Sequence, residues 1–230
     1  MRAFLLAAGI GSRLRPITDT IPKCMVPIAG RPLLDIWLDA FRDADIDEIH
    51  LNLHHLPDVV RAHLAGRTGL PKVRTSFEPE LLGSAGTLVA HRDWAAGEDF
   101  FLACNADNLT DFDLRLLIKG HLDHGAVATI GVFRSPRPSA CGVVEVDAAG
   151  TLVGFTEKPA HPVSDLANAG IYAFNPSVLD EVEEKPRVDI GYDLLPRLVG
   201  RAQTMLIEGY FRDIGTPDVY QQALKEWDSR

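Results

Sequence analysis

Ala3-Phe4-Leu5-Leu6-Ala7-Ala8-Gly9-Ile10-Gly11-Ser12-Arg13-Leu14-Arg15-Pro16 is the stretch whose reading decides the fold. Residues 3–7 form a short apolar run that reads as a buried strand, and the run leads straight into glycines. A glycine loop behind a first parallel strand lets bare backbone N–H groups approach an anion closely, which makes it a candidate phosphate cradle. Two common loops are excluded. The dinucleotide fingerprint needs a small residue where Leu14 stands and a helix where Pro16 interrupts. The Walker A loop needs Gly-Lys-Ser/Thr, and that string is absent. The chain offers instead Arg13 inside the loop and Lys23 within Ile21-Pro22-Lys23-Cys24-Met25-Val26-Pro27. Prolines on both sides stiffen this second segment and fix where Lys23 points. Two cations beside glycine amides suit a triphosphate.

Outward from this loop, apolar runs alternate with amphipathic stretches. Helical spacing predicts helices over 32–44, 57–64, 84–91 and 113–124, with Pro32 suited to a first-turn position. Strands are expected at Glu48–Leu53 and at 73–77, 100–104 and 126–133. Such alternation implies a mostly parallel sheet covered on both faces. The rhythm then changes. Gly142–Val146 and residues 152–155 flank Asp147-Ala148-Ala149-Gly150, which predicts an antiparallel hairpin. Residues 169–174 read as a strand, Asn175-Pro176 as a helix cap, 192–199 as a short helix, and 205–208 and 210–213 as short strands. Thr216 is expected to cap a last helix, Pro217–Trp227. No linker or internal repeat interrupts the chain, so the expectation is a single α/β domain over 1–230, Rossmann-like, parallel early and mixed later.

Composition narrows the function classes. Across 230 residues, 46% are hydrophobic and 24% charged, which excludes disorder and a disulfide scaffold. The formal charge of −9 argues against nucleic acid or an anionic membrane as partner, although a locally basic pocket is still allowed. Cys24, Cys104 and Cys141 cannot all pair and have no CxxC spacing, so a reducing compartment is the simpler reading. The N-terminal apolar run is too short for a signal peptide or a membrane span, and a cytoplasmic location is expected. Periodicity leaves homo-oligomerisation open.

Asp107 follows an apolar strand, and Asp213 ends another. Carboxylates at strand ends lie where open α/β sheets bind ligands, and together they make a sensible Mg²⁺ site, because this ion prefers oxygen ligands and takes the rest from water and phosphate. Asp111 and Asp113 nearby look like caps. His54-His55 is read as structural, since neighbours in a strand point to opposite faces. His121 and His124 are expected on a solvated helix face, and Cys104 as a small buried hydrophobe.

At this point the sequence resembles the sugar-1-phosphate nucleotidyltransferases, the nucleotide-sugar pyrophosphorylases. Their opening signature, L-A-(A/G)-G-x-G-x-R-L-x-P and then P-K-x-x-x-P-(I/V)-x-G-(R/K)-P-(L/M), matches 6–16, 22–27 and 30–33. The likeness continues through Glu78, Gly83-Ser84-Ala85-Gly86, Asn105-Ala106-Asp107-Asn108, Glu157-Lys158-Pro159, Asn168-Ala169-Gly170 and Phe211-Arg212-Asp213-Ile214-Gly215-Thr216-Pro217. Length and the string Asp189-Ile190-Gly191-Tyr192-Asp193 look closest to compact bacterial members that lack a C-terminal β-helix. Those include heptose-1-phosphate guanylyltransferases and N-acetylmuramate-1-phosphate uridylyltransferases.

The resemblance implies a reaction: attack by a sugar 1-phosphate oxygen on the α-phosphorus of an NTP, releasing pyrophosphate. It implies that Asp107 and Asp213 hold Mg²⁺, that Arg13 takes the β- and γ-phosphates, and that Lys23 stands near the α-phosphate, so that Arg13, Lys23 and Asp107 carry catalysis. Ala7, Ala8, Gly9, Gly11 and Ser12 would hold the nucleotide, as would Gly83, Ala85 and Gly86 along the base. Lys158 would bind the sugar phosphate, Glu157 the sugar hydroxyls, and Gly142 and Asn168 would line that pocket. GTP with a mannose- or heptose-type phosphate is the first expectation, and a uridylyltransferase on an amino-sugar phosphate the second. A regulatory subunit that only binds nucleotide sugar would be expected to lose the loop arginine, the lysine or a metal carboxylate, and Arg13, Lys23, Asp107 and Asp213 are all present.

Overall fold

The computed structural model describes residues 1–69, 71–183 and 185–229. In chain order its elements begin β1 (Arg2–Leu6), β2 (Pro27–Ile28), β3 (Arg31–Pro32), α1 (Leu33–Asp43), β4 (Glu48–Leu53), α2 (Pro57–Ala65) and β5 (Lys72–Phe77). Next come α3 (Ser84–Ala90), α4 (Arg92–Ala95), β6 (Phe101–Asn105), β7 (Asn108–Thr110), α5 (Leu114–His124) and β8 (Ala128–Arg134). Then follow β9 (Gly142–Val146), β10 (Leu152–Glu157), β11 (Leu166–Phe174), β12 (Ala202–Leu206), β13 (Phe211–Asp213) and α6 (Pro217–Trp227). The fold is α/β, parallel early and mixed later, and it forms two compact units. One comprises Met1–Leu81, Asn105–Phe112 and Gly209–Arg230; the other comprises Leu82–Cys104 and Asp113–Glu208.

In the first unit β4 runs parallel to both β1 and β5, with Arg2 opposite Glu48 and Glu48 opposite Lys72. Three successive β1 residues, Ala3, Phe4 and Leu5, are fully buried, as a parallel strand covered on both faces requires. Helix α1 turns Leu34, Trp37, Leu38 and Phe41 inward at helical spacing. Each such side chain contributes about 1.5–3 kcal/mol on burial. The Trp37 indole also donates to the Asn108 carbonyl at 2.9 Å, which pins β7 to α1. The Tyr220 hydroxyl of α6 donates to the Pro27 carbonyl at 2.6 Å, fixing the segment just after Lys23.

In the second unit β11 lies antiparallel between β6 and β8, with an irregularity between Asn168 and Tyr172 on the β8 side. β12 runs parallel to β8. β9 and β10 form the expected hairpin, closed by Asp147, whose Oδ1 accepts the Ala149 and Thr151 amides at 2.9 and 2.8 Å. Cys104 is fully buried, and burial pushes its thiol up, in keeping with a small hydrophobe.

Several expectations give way. No α-helix spans 192–199: residues Ile190–Leu194 form a π-helical turn and Leu195–Leu198 a 3₁₀ turn, Pro196 having no N–H for a regular ladder. The strand expected at 205–208 lies at Ala202–Leu206 instead. His121 is not solvated. It is 4% exposed, between Thr129 Oγ1 and Asn175 Oδ1, each 3.0 Å from a ring nitrogen, while Leu122 on the same helix is 63% exposed. The buried face of α5 therefore runs through Leu114, Leu117 and His121, positions i, i+3 and i+7. Because Asn175 serves His121, it does not cap the turn that follows, and Thr216 makes no side-chain cap on α6. His54 and His55 do diverge, His54 Nδ1 to the Glu78 carbonyl at 2.7 Å and His55 Nε2 to the Thr18 carbonyl at 2.8 Å.

Candidate active site

Arg13, Lys23, Asp107 and Asp213 all lie in the first unit. The Lys23 ammonium is 2.7 Å from Asp107 Oδ2 and 3.5 Å from Asp213 Oδ1. Local structure explains the convergence. Pro22 is extended, and a 3₁₀ turn over Lys23–Met25 follows, closed by the Met25 amide on the Pro22 carbonyl at 2.8 Å. Asp107 follows β6, and the Ala106 amide before it donates to the Leu6 carbonyl at 3.0 Å. Asp213 ends β13, which pairs with β7 so that Asp213 faces Asn108. Beyond the ribbon the Ile214 amide donates to the Asp107 carbonyl at 3.1 Å. The register of a three-residue ribbon thus sets the two carboxylates side by side.

Arg13 sits in a 3₁₀ turn over Ser12–Leu14, with its side chain exposed. The turn begins at Gly11, whose φ of +69° favours glycine. Buried Thr18 locks that turn: its hydroxyl donates to the Gly11 carbonyl at 2.8 Å, and its methyl would lie 2.9 Å from any Cβ at position 11. Gly215 leaves the same kind of room at the other side. A Cβ there would stand 3.3 Å from an Arg13 guanidinium nitrogen and 3.2 Å from Asp213 Oδ1. Of the remaining loop residues, Ala7 donates its amide to Asn52 Oδ1 at 2.7 Å, Ala8 is buried, and Gly9 and Ser12 are exposed.

The electrostatics follow from this placement. Burial alone would depress the Lys23 ammonium, but Asp107 and then Asp213 outweigh it and raise its pKa. Burial opposes ionisation of Asp107, yet the Lys23 and Arg13 charges hold its carboxyl below the usual range. Burial and the Asp107 charge push Asp213 above it. The donor set suits a hard cation. Among the described residues no group of three or more His, Cys, Asp or Glu could hold a metal, so an ion here would have two carboxylates and would draw its other ligands from water and phosphate. Mg²⁺ binds in this way, and Asp107 and Asp213 fit it.

The second unit holds the other predicted residues, all but Asn168 in two groups. Gly142 and Glu157 face each other across the β9–β10 hairpin. Lys158 has φ +47° and donates its amide to the Cys141 carbonyl at 2.9 Å, with its ammonium 3.6 Å from Glu157 Oε1. Burial raises the Glu157 carboxyl; Lys158 opposes this and Asp189 adds to it. The second group is Gly83, Ala85 and Gly86. The Ala85 and Gly86 amides both donate to the Val188 carbonyl at 3.0 Å, so these donors are engaged within the chain. Gly83, at φ +82°, lies so close that a Cβ would stand 2.3 Å from the same carbonyl oxygen. Asn168 belongs to neither group: its side chain serves the β11 irregularity, donating to the Tyr172 hydroxyl at 2.7 Å and accepting the Gly170 amide at 3.0 Å.

The family model for nucleotidyl transferases matches residues 2–230, and the chain belongs to that family. Among curated relatives, mannose-1-phosphate guanylyltransferase 1 of Arabidopsis thaliana is 35% identical over 98% of this chain and 64% of its own length. The UTP–glucose-1-phosphate uridylyltransferase of a Synechocystis strain is 35% identical over 98% of this chain and 63% of its own. The chain thus spans slightly under two thirds of the curated relatives it matches. A Bacillus anthracis structure, assigned as a glucose-1-phosphate thymidylyltransferase and solved with a sucrose, shares the fold. It has a TM-score of 0.86 at 24% identity, covering 100% of this chain and 96% of that one.

Proposed function

We propose that this chain transfers a nucleotidyl group from an NTP to a sugar 1-phosphate, releasing pyrophosphate. The observation that carries the reading is the Lys23 ammonium held within reach of both Asp107 and Asp213. In-line displacement at phosphorus asks little covalent chemistry of a protein. It needs two anions positioned and the developing charge met by fixed cations. Arg13, on the glycine turn, takes the β- and γ-phosphates and the departing pyrophosphate. Lys23, whose raised pKa keeps it charged, meets the charge that builds at the α-phosphate. Asp107 and Asp213 would hold Mg²⁺, which when bound neutralises phosphate charge. Glu157 accepts from sugar hydroxyls, and Lys158 pairs with the sugar phosphate.

GTP with a mannose- or heptose-type phosphate is the first substrate pair, and the name of the Arabidopsis relative supports it. The Synechocystis relative favours a uridylyltransferase as the second reading, on an amino-sugar phosphate such as N-acetylmuramate 1-phosphate. Three cysteines without CxxC spacing, all free, support a reducing, cytoplasmic setting. The test is pyrophosphate release over a grid of NTPs and sugar 1-phosphates, with and without Mg²⁺. Turnover is expected with GTP and a mannose- or heptose-type partner, and only with the metal. No release from any pair, alongside tight binding of a nucleotide sugar, would replace this reading with a non-catalytic binding subunit.

A further inference from the structure

Gly191 lies in the π-helical turn and belongs to none of the residue sets assigned above. A Cβ added there would stand 2.5 Å from Glu157 Oε2, and one added at Gly142 would stand 2.6 Å from the same oxygen. The carboxylate is therefore seated in a slot whose two walls are bare Cα atoms. The wall at 191 cannot recoil easily. On one side the Ile190 amide donates to Ser84 Oγ at 2.8 Å; on the other the Asp193 amide donates to the Asp189 carbonyl at 2.8 Å, and the Asp189 amide donates to Asp193 Oδ2 at the same distance. At the opposite wall a Cβ on Gly142 would also stand 2.6 Å from Phe155 Cζ, so the ring packs beside the carboxylate over the same bare Cα. A methyl group entering at 191 meets the far end of a flexible side chain, so it is the Glu157 carboxylate that must move.

From this geometry we infer that Gly191 is a positioning residue, which with Gly142 fixes how the Glu157 carboxylate is presented to the sugar. The inference rests on the reading that Glu157 meets the acceptor sugar. It makes 191 a determinant of acceptor use that acts without touching the acceptor. Because the displaced group is a side-chain tip rather than backbone, the effect falls on orientation more than on stability.

The experiment is a double-mutant cycle of Gly191→Ala and Glu157→Ala, read as KM for a sugar 1-phosphate, KM for the nucleotide, and Tm. Displacing a positioned group by ~1 Å can cost about 10²-fold, so Gly191→Ala should raise the acceptor KM about tenfold or more. The nucleotide KM should change by less than about twofold, since that ligand loses no contact. In the Glu157→Ala background the added effect of Gly191→Ala should vanish, and any fall in Tm should vanish with it. An unchanged acceptor KM in Gly191→Ala, or the same increment in both backgrounds, overturns the inference. A ¹³C titration of the Glu157 carboxyl in the same proteins reads the slot without turnover. In Gly191→Ala its midpoint should fall from above the ordinary carboxylate range toward it, and an unmoved midpoint overturns the inference. A moved midpoint in a chain with no transferase activity keeps Gly191 as the residue that positions Glu157, while refuting the acceptor reading on its own.

Discussion

The candidate site of the first unit is held by charge, and that of the second by close approach. Around Lys23, two carboxylates and an ammonium fix one another, and each one's protonation depends on the others. Around Glu157 and Val188, position is set by glycines that leave no room for a Cβ. The difference teaches where each region is fragile. Removing a charge should damage the first and leave its backbone intact, whereas adding a methyl group should damage the second.

The largest effects should therefore come from Asp107→Asn and from Lys23→Met, which keeps the length of the stem and removes the charge. Loss of one fixed transition-state donor costs about 10²–10³ in kcat, and that fall is expected in pyrophosphate release with little change in Tm. Asp107→Asn should abolish turnover while the protein stays folded. Near-normal rates in either variant would remove the basis for treating the triad as catalytic. The contrasting change in the second unit is Gly83→Ala. Its φ of +82° and ψ of 163° form a region that is essentially glycine-only, and the Val188 oxygen blocks a Cβ. A loss of roughly 2–4 kcal/mol in unfolding free energy is expected, measured by urea titration. A loss under about 0.5 kcal/mol, the range of ordinary surface changes, would show that the 82–86 loop relaxes freely.

The two regions also differ in how far the sequence reveals them. Arg13, Lys23, Asp107 and Asp213 stand out because each follows a strand or a glycine-and-proline segment, where local rules fix direction. The contact of Lys23 with both aspartates was not legible, because it depends on the register of β7 and β13, three residues each, and β7 carries no periodic signal. Thr18 and Gly215 were missed for the same reason: nothing in a single chain marks a threonine that locks a turn seven residues back, or a glycine that clears space for a distant arginine. In the second unit the glycines of Gly83-Ser84-Ala85-Gly86 were legible, but their partner within the chain was not. The resemblance puts a nucleotide base along these residues, and nothing in a single chain marks Val188, more than 100 residues away, as the carbonyl that takes the Ala85 and Gly86 amides. His121 was misplaced because periodicity identifies a face and not which of two overlapping faces is buried.

A smaller effect, again setting packing against charge, should come from His121. Burial lowers its pKa, and Asn175 opposes this only in part. The unfolded chain then takes up the proton first, so stability is complete above the ordinary histidine value and declines as pH falls through it. Urea midpoints near pH 7.5 and pH 5.5 should differ by more in the native protein than in His121→Gln, which keeps a neutral hydrogen-bonding side chain. Equal differences in the two proteins would mean that this histidine is not the group responsible.

The smallest effect belongs to charge at the surface of the first unit. Arg212 donates to both Glu226 oxygens at 2.8 and 3.0 Å, Tyr210 and Gln222 add further bonds, and the Glu226 carboxyl is drawn down to about 2. A carboxyl with a depressed pKa contributes stability that is present above its ordinary value near 4.5 and is lost as pH falls from there toward 2. Solvent around Glu226 screens the pair, so its contribution should stay within the few tenths of a kcal/mol to about 1 kcal/mol typical of exposed ion pairs. Glu226→Gln should lower Tm slightly at pH 7 and at low salt, with the deficit shrinking at about 1 M salt, where the screening length is near 3 Å. The same variant should change pyrophosphate release little, because Lys23 and Asp107 lie on other segments and the Asp213 carboxylate, next to Arg212 on β13, is paired with Lys23 and not with Glu226. A salt-independent deficit would mean that Glu226 acts through packing of α6, and would weaken the contrast drawn between charge in one region and close approach in the other.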